Sequence, residues 1–137
     1  MPITTWPIDK RIDVGDKQTA TILVVEDDAD VCMAVVETLE STGYHVLSAR
    51  DGPEALAALE KAQGIDLMFS DLVMPHGMSG FELVGEARRL RPNLRILLTS
   101  GYAAQSARGA KFPLIKKPYR LADLVRCINE ALGGGSA

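Results

Sequence analysis

The sequence predicts an α/β fold, a doubly wound (βα)₅ domain built on a five-stranded parallel sheet. Short β-branched or apolar runs alternate with segments whose apolar residues recur at helical spacing, five times between residues 21 and 132. Glycines and prolines fall at the joints between them. Strands and helices of these lengths in strict alternation imply parallel strands joined by right-handed crossovers, with helices on both faces.

Thr21-Ile22-Leu23-Val24-Val25 has no polar face and reads as a buried strand. Val31, Ala34, Val35, Thr38 and Leu39 then repeat at i, i+3, i+4, i+7 and i+8, one stripe of a helix that Gly43 stops. The second strand is Tyr44–Ala49. Gly52-Pro53 opens the second helix with proline in its first turn, and that helix runs through Leu56 and Leu59 to Gly64. Ile65–Ser70 is the third strand. Ser79-Gly80-Phe81-Glu82 reads as a capping box, starting a helix that ends before Pro92. Arg95–Thr99 is the fourth strand, Ala103–Ala107 a weak helical pattern ended by Gly109, and Pro113–Lys116 the fifth strand. The last helix carries Leu121, Leu124, Val125, Ile128 and Leu132 on one face. Residues 1–20, with Pro2, Pro7 and Gly15, read as an N-terminal extension or linker onto which Trp6 folds. Residues 21–132 form the domain, and 133–137 a flexible Gly/Ser tail.

Composition excludes several classes. The 137 residues are 47% hydrophobic and 24% charged, which suits one globular domain. A net charge of −3 speaks against direct contact with nucleic acid or with an anionic membrane. The longest apolar run, Val31–Val36, is far below the roughly 18 residues of a spanning helix. Residues 1–11 lack a signal-peptide core, so the expected setting is cytoplasmic. Cys32 and Cys127 lie outside any CxxC pattern and read as reduced, half-buried thiols. His45 and His76 are too few for a histidine-rich metal site.

The chemistry gathers where ligands bind in such sheets, outside the carboxyl ends of the strands. Glu26-Asp27-Asp28 follows the first strand, Asp71 the third, Thr99-Ser100 closes the fourth and Lys116-Lys117-Pro118 the fifth. Carboxylates this close repel unless a cation joins them. An all-oxygen donor set suits a hard divalent ion, Mg²⁺ or Mn²⁺. Lys117 offers a point charge to a phosphoryl oxygen, and Thr99 a hydroxyl donor. A carboxylate in that company can act as nucleophile and form an aspartyl phosphate.

Here the chain resembles the receiver domain of two-component response regulators over about residues 21–132. The resemblance rests on Ile22–Asp28, Asp71-Leu72-Val73-Met74-Pro75, Gly80, Thr99-Ser100-Gly101 and Lys117-Pro118, in this order. It implies a flavodoxin-like strand order 2-1-3-4-5. It assigns Asp71 as phosphoacceptor, with Lys117 on the phosphate and Thr99 bonding the phosphoryl group and moving on activation. Asp27 and Asp71 would ligate the metal, Glu26 directly or through water, and Val73 through its carbonyl. The Lys117-Pro118 peptide would be cis. A phosphohistidine donor, a histidine kinase or a histidine phosphotransfer protein, would dock near the first helix. The implied function is a signalling switch with Mg²⁺-dependent self-phosphorylation and slow autodephosphorylation, not an enzyme, with homodimerisation on phosphorylation. With residues 1–20 too few to fold alone, and no DNA-binding helix pair after Leu132, its output would be protein contact. Two departures stand out. The aromatic switch residue three before the lysine is Leu114, and the loop Met74–Gly80 is one residue longer than the commonest form. The latter, with Thr99–Tyr102 and Phe112-Pro113-Leu114, is similar to receivers of hybrid sensor kinases.

Plainer readings stand beside these. Asp28 and Asp30 read as first-turn helix acids favoured by the dipole. Glu26, where Asp is commoner, is longer by one methylene. Lys116 reads as solvated, and Arg88, Arg89, Arg91 and Arg95 as the solvated end of the third helix. His76 reads as a surface residue, and Tyr102 as a weak substitute for the missing aromatic. A haloacid-dehalogenase-type enzyme would need an acid where Val73 stands. A flavin carrier would need a hydroxyl-rich phosphate loop in place of Glu26-Asp27-Asp28. Leu114 keeps one alternative in play, a phosphorylation-independent interaction module.

Overall fold

In a computed structural model, the description covers residues 20–74, 77–101 and 112–133. The expectations for the N-terminal extension with Trp6, His76, Tyr102, the Ala103–Ala107 segment and the chain after Gly133 lie outside the described residues. Among the described residues there are five strands: β1 (Thr21–Val25), β2 (His45–Ala49), β3 (Ile65–Asp71), β4 (Arg95–Ser100) and β5 (Leu114–Lys116). Four helices are described: α1 (Ala29–Ser41), α2 (Gly52–Lys61), α3 (Gly80–Leu90) and α4 (Leu121–Ala131). The strands form one sheet in the order β2-β1-β3-β4-β5, every pair parallel, as the resemblance implied.

Strand alternation divides the core in two. Leu23, Met68 and Leu98 point to one face and pack with Ala55 and Leu59 of α2 and Leu83, Val84 and Ala87 of α3. Ile22, Val24, Leu67, Phe69 and Leu97 point to the other and pack with Val35 and Leu39 of α1 and Leu124 and Ile128 of α4. β1, β3 and β4 are therefore buried on both faces, which is why their sequences read as continuous apolar runs. β2 is an edge strand, and only Ala49 of its five residues is buried.

The helix ends follow their side chains. Asp28 is the N-cap of α1 rather than a first-turn acid, accepting hydrogen bonds from the backbone of Asp30 and Val31. Gly43, with φ of 107°, stops α1 as its freedom allows. Ser79 and Glu82 exchange both bonds of a capping box at the start of α3. α2 ends at Lys61, short of Gly64, because Ala62 already has extended backbone. Tyr44 is buried but stands outside β2, its N–H bonded back to the carbonyl of Leu39 at 3.2 Å. Val31 is exposed at 37% rather than part of the buried stripe. Arg89 and Arg95 are exposed, as their sequence suggests, whereas Arg88 and Arg91 are less solvated. Arg91 donates to the carbonyl of Leu59 at 2.6 Å, tying α3 to the end of α2. Arg88 donates to the carbonyl of Leu94 and lies over the Phe112 ring.

Candidate functional site

Strand order reverses between β1 and β3, and their carboxyl ends open the crevice where an α/β sheet binds ligands. Val25 pairs with Ser70 across it, so Glu26 and Asp71 leave the sheet side by side. Asp71 pairs in register with Thr99 on the next strand, and Ser100 with Lys116 on the one after. The parallel register thus delivers residues from four separate segments to one edge. The Lys117-Pro118 peptide is cis.

Asp71 is 7% exposed. Its Oδ1 accepts from the Val73 N–H at 3.0 Å, and its Oδ2 is hydrogen-bonded to the Lys117 ammonium. The backbone around it is fixed on both sides. The Leu72 N–H reaches the carbonyl of Thr99 at 2.9 Å, and the Gly80 N–H reaches the carbonyl of Leu72 at 2.9 Å. Thr99 is 1% exposed, and its Oγ1 has no hydrogen-bond partner among the described residues.

Glu26 is as buried as Asp71, and its Oε2 accepts from the Asp28 N–H at 3.0 Å. Burial pushes its carboxyl above the usual range. The Asp28 N–H and the Lys117 charge oppose this, and the charges of Asp71 and Asp27 add to it. For Lys117, burial pulls the ammonium down. The Asp71 hydrogen bond and the charges of Asp71, Glu26 and Asp27 outweigh it, and the net direction is up. Asp27 is exposed, and Val73 is 57% exposed at the mouth of the site.

The residues present fit a hard divalent cation in donor type and in charge. Glu26, Asp27 and Asp71 bring three carboxylates to the crevice against the one ammonium of Lys117, and the charges of Asp71 and Asp27 add to the rise that burial gives the Glu26 carboxyl. Among the described residues no three His, Cys, Asp or Glu side chains are already grouped around a metal position.

Sequence comparison gives this edge its context. The response regulator receiver domain pattern matches residues 22–129. The chain belongs to that family. Among curated relatives of this receiver, the sensor kinase CckA of Brucella abortus is 38% identical over 131 residues, 91% of this chain but 14% of that kinase. The response regulator receiver protein CpdR of Brucella abortus is 36% identical over 118 residues, 81% of this chain and 95% of CpdR. Among solved structures, the receiver domain of a hybrid histidine kinase CckA is 33% identical with a TM-score of 0.71, covering 82% of this chain and 99% of that domain. The receiver is thus a module of two-component signal transduction rather than a catalytic enzyme. Among its described residues no helix is long and apolar enough to cross a membrane.

One residue at the site escaped sequence reasoning. Tyr119 sits beside the acids with its hydroxyl buried and without a hydrogen-bond partner among the described residues. The only available signal was its place directly after Lys117-Pro118.

Proposed function

We propose that this receiver is a phosphoacceptor of a two-component phosphorelay, taking a phosphoryl group from a phosphohistidine donor onto Asp71. One observation carries the reading: a buried Asp71 carboxylate held by Lys117, in register with a buried Thr99 hydroxyl that has no partner among the described residues. An Asp71 oxygen attacks phosphorus, the P–N bond breaks, and the imidazole leaves with the bonding pair. Lys117 neutralises developing charge on the phosphoryl oxygens, and Thr99 turns its hydroxyl toward one of them. Glu26, Asp27, Asp71 and the Val73 carbonyl would hold Mg²⁺ or Mn²⁺, which would supply the remaining charge neutralisation. Hydrolysis of the same acyl phosphate returns the switch to rest.

The donor is a histidine kinase or histidine phosphotransfer protein in the cytoplasm. An apolar groove of about 580 Å³, lined by Val31, Ala34 and Val35 of α1 and by Lys117, Pro118 and Leu121, borders the acid edge and suits its docking. Signalling follows from conformational change at Thr99, including self-association on phosphorylation. Leu114 favours a second reading, an interaction module that works without phosphate.

Incubation with Mg²⁺ and acetyl phosphate tests the choice by intact mass. Wild type gains one acid-stable, base-labile phosphoryl group, and Asp71→Asn gains none. Equal labelling of both proteins refutes the assignment, and no labelling of either favours the phosphate-independent module.

A further inference from the structure

Two buried hydroxyls near the acid edge lack hydrogen-bond partners among the described residues, Thr99 Oγ1 and Tyr119 Oη. The phosphoryl group accounts for the first. Tyr119 also lines the apolar groove beside α1, but docking there makes no use of its hydroxyl. A buried donor left unpaired is costly, and phenylalanine would fill the same space without that cost. The Tyr119 ring packs edge-on against Phe69, with centroids 5.9 Å apart and planes at 78°. Phe69 pairs with Val24 across the β1–β3 crevice, two residues before Asp71 on one strand and two before Glu26 on the other. Tyr119 therefore packs on the α1–α4 face of the sheet, one layer below the acids.

Alternation of β1 places Ile22 and Val24 on that same face, and Glu26 comes next in the series. Its carboxyl stands one methylene further from the backbone than that of an aspartate, which extends its reach. One of its oxygens already takes the Asp28 N–H. Burial, followed by the charge of Glu26 and then that of Asp71, pushes the phenol up to about 12, so the hydroxyl keeps its proton and remains a donor. Leu114 belongs with Leu98 and Phe112 on the opposite face, away from this pair.

We propose that Tyr119 is a positioning residue for Glu26: its buried hydroxyl is the donor that fixes the Glu26 carboxylate when the acid site takes up its cation. This rests on the cation-dependent reading of the Asp71 site. Inward movement of Glu26 gives the hydroxyl its acceptor, so the free protein carries the unpaired donor and the loaded protein does not.

A double-mutant cycle tests it, using Mg²⁺ alone as the probe. Affinity is read from amide chemical shifts, and thermal melting is followed without metal. Tyr119→Phe keeps the ring against Phe69. It is expected to weaken Mg²⁺ binding about 10- to 150-fold, as fits loss of one hydrogen bond to a charged group. The metal-free melting temperature stays the same or rises. Glu26→Asp withdraws the carboxyl, and in that background Tyr119→Phe has no further effect on Mg²⁺ affinity. Unchanged Mg²⁺ affinity in Tyr119→Phe overturns the proposal. So does a fall in metal-free stability, which would mean that the hydroxyl already has a structural partner. So does an equal loss in the Glu26→Asp background. If wild type binds no Mg²⁺, the reading of the acid site fails as well; if it binds and Tyr119→Phe matches it, only the role of Tyr119 fails.

Discussion

Gly80, the first residue of α3, is buried against the backbone that follows Asp71, and replacing it with alanine links fold to site. A Cβ there would lie 2.6 Å from the Asp71 carbonyl oxygen, 2.6 Å from the Leu72 Cα and 3.1 Å from the Leu72 oxygen. All three are backbone atoms, which cannot rotate away. Reaching ordinary contact requires α3 and the Asp71–Leu72 segment to part by about 0.8 Å. That opens the 2.9 Å bond from the Gly80 N–H to the Leu72 carbonyl to about 3.7 Å, beyond hydrogen-bond range. Overpacking costs about 1–3 kcal/mol and the lost bond about 1 kcal/mol, offset by at most about 1 kcal/mol of alanine's helix preference. The net expectation is a loss of about 1–3 kcal/mol, or roughly 4–12 °C in melting temperature for a domain of this size. Gly85 in the same helix supplies the control. It is exposed, nothing lies within 4 Å of its Cβ position, and Gly85→Ala should stabilise by about 0.5–1 kcal/mol. Urea denaturation measures both, and the rate of labelling by acetyl phosphate reports whether Asp71 has moved. A Gly80→Ala protein as stable as Gly85→Ala, or one labelled at the wild-type rate despite its lost stability, would refute the close-approach argument.

Two further predictions concern charge and capping. Without divalent cations, Glu26→Gln should stabilise the fold at pH 7. The raised Glu26 pKa means the folded state binds that proton more tightly, so wild type regains stability as pH falls through it. The advantage of the glutamine should then shrink toward and below pH 4.5, the ordinary value for this group; a gain independent of pH in urea titrations would contradict the burial argument. Asp28→Ala removes the acceptor for the backbone of Asp30 and Val31 and should cost about 1 kcal/mol, detectable as a melting shift of roughly 4 °C; no shift would mean that water caps α1 equally well.

The fold was legible because burial on both faces leaves a simple trace. β1, β3 and β4 are the three central strands, and their apolar runs mark them without ambiguity. The helix starts were legible where side chains decide them, as at Ser79 with Glu82 and at Pro53. Ends set by backbone alone were not. α2 stops at Lys61 on an extended Ala62, and no residue type announces that. Arg88 and Arg91 misled for a different reason. A cluster of arginines at a helix end looks solvated in sequence, whereas here their guanidinium groups reach carbonyls that the chain's return toward β4 and the end of α2 leave free.

The candidate site was legible to the extent that its members sit at strand ends, since the topology alone brings those positions together. Glu26, Asp71, Thr99 and Lys117 meet the edge because register carries each strand to the same height. What sequence could not supply is the side on which each hydroxyl falls. Thr99 shares a face with Leu97, and Leu114 packs on the other with Leu98, so proximity to Lys117 in sequence gives no guide to which neighbour the threonine meets. Tyr119 was invisible for the same reason. In sequence it is one aromatic in a run before a helix, with nothing to separate a core ring from a donor aimed at charge. Only the sheet shows that its ring rests on Phe69, two residues before Asp71, and only there does a buried hydroxyl without a partner among the described residues, in the field of Glu26 and Asp71, become a chemical question.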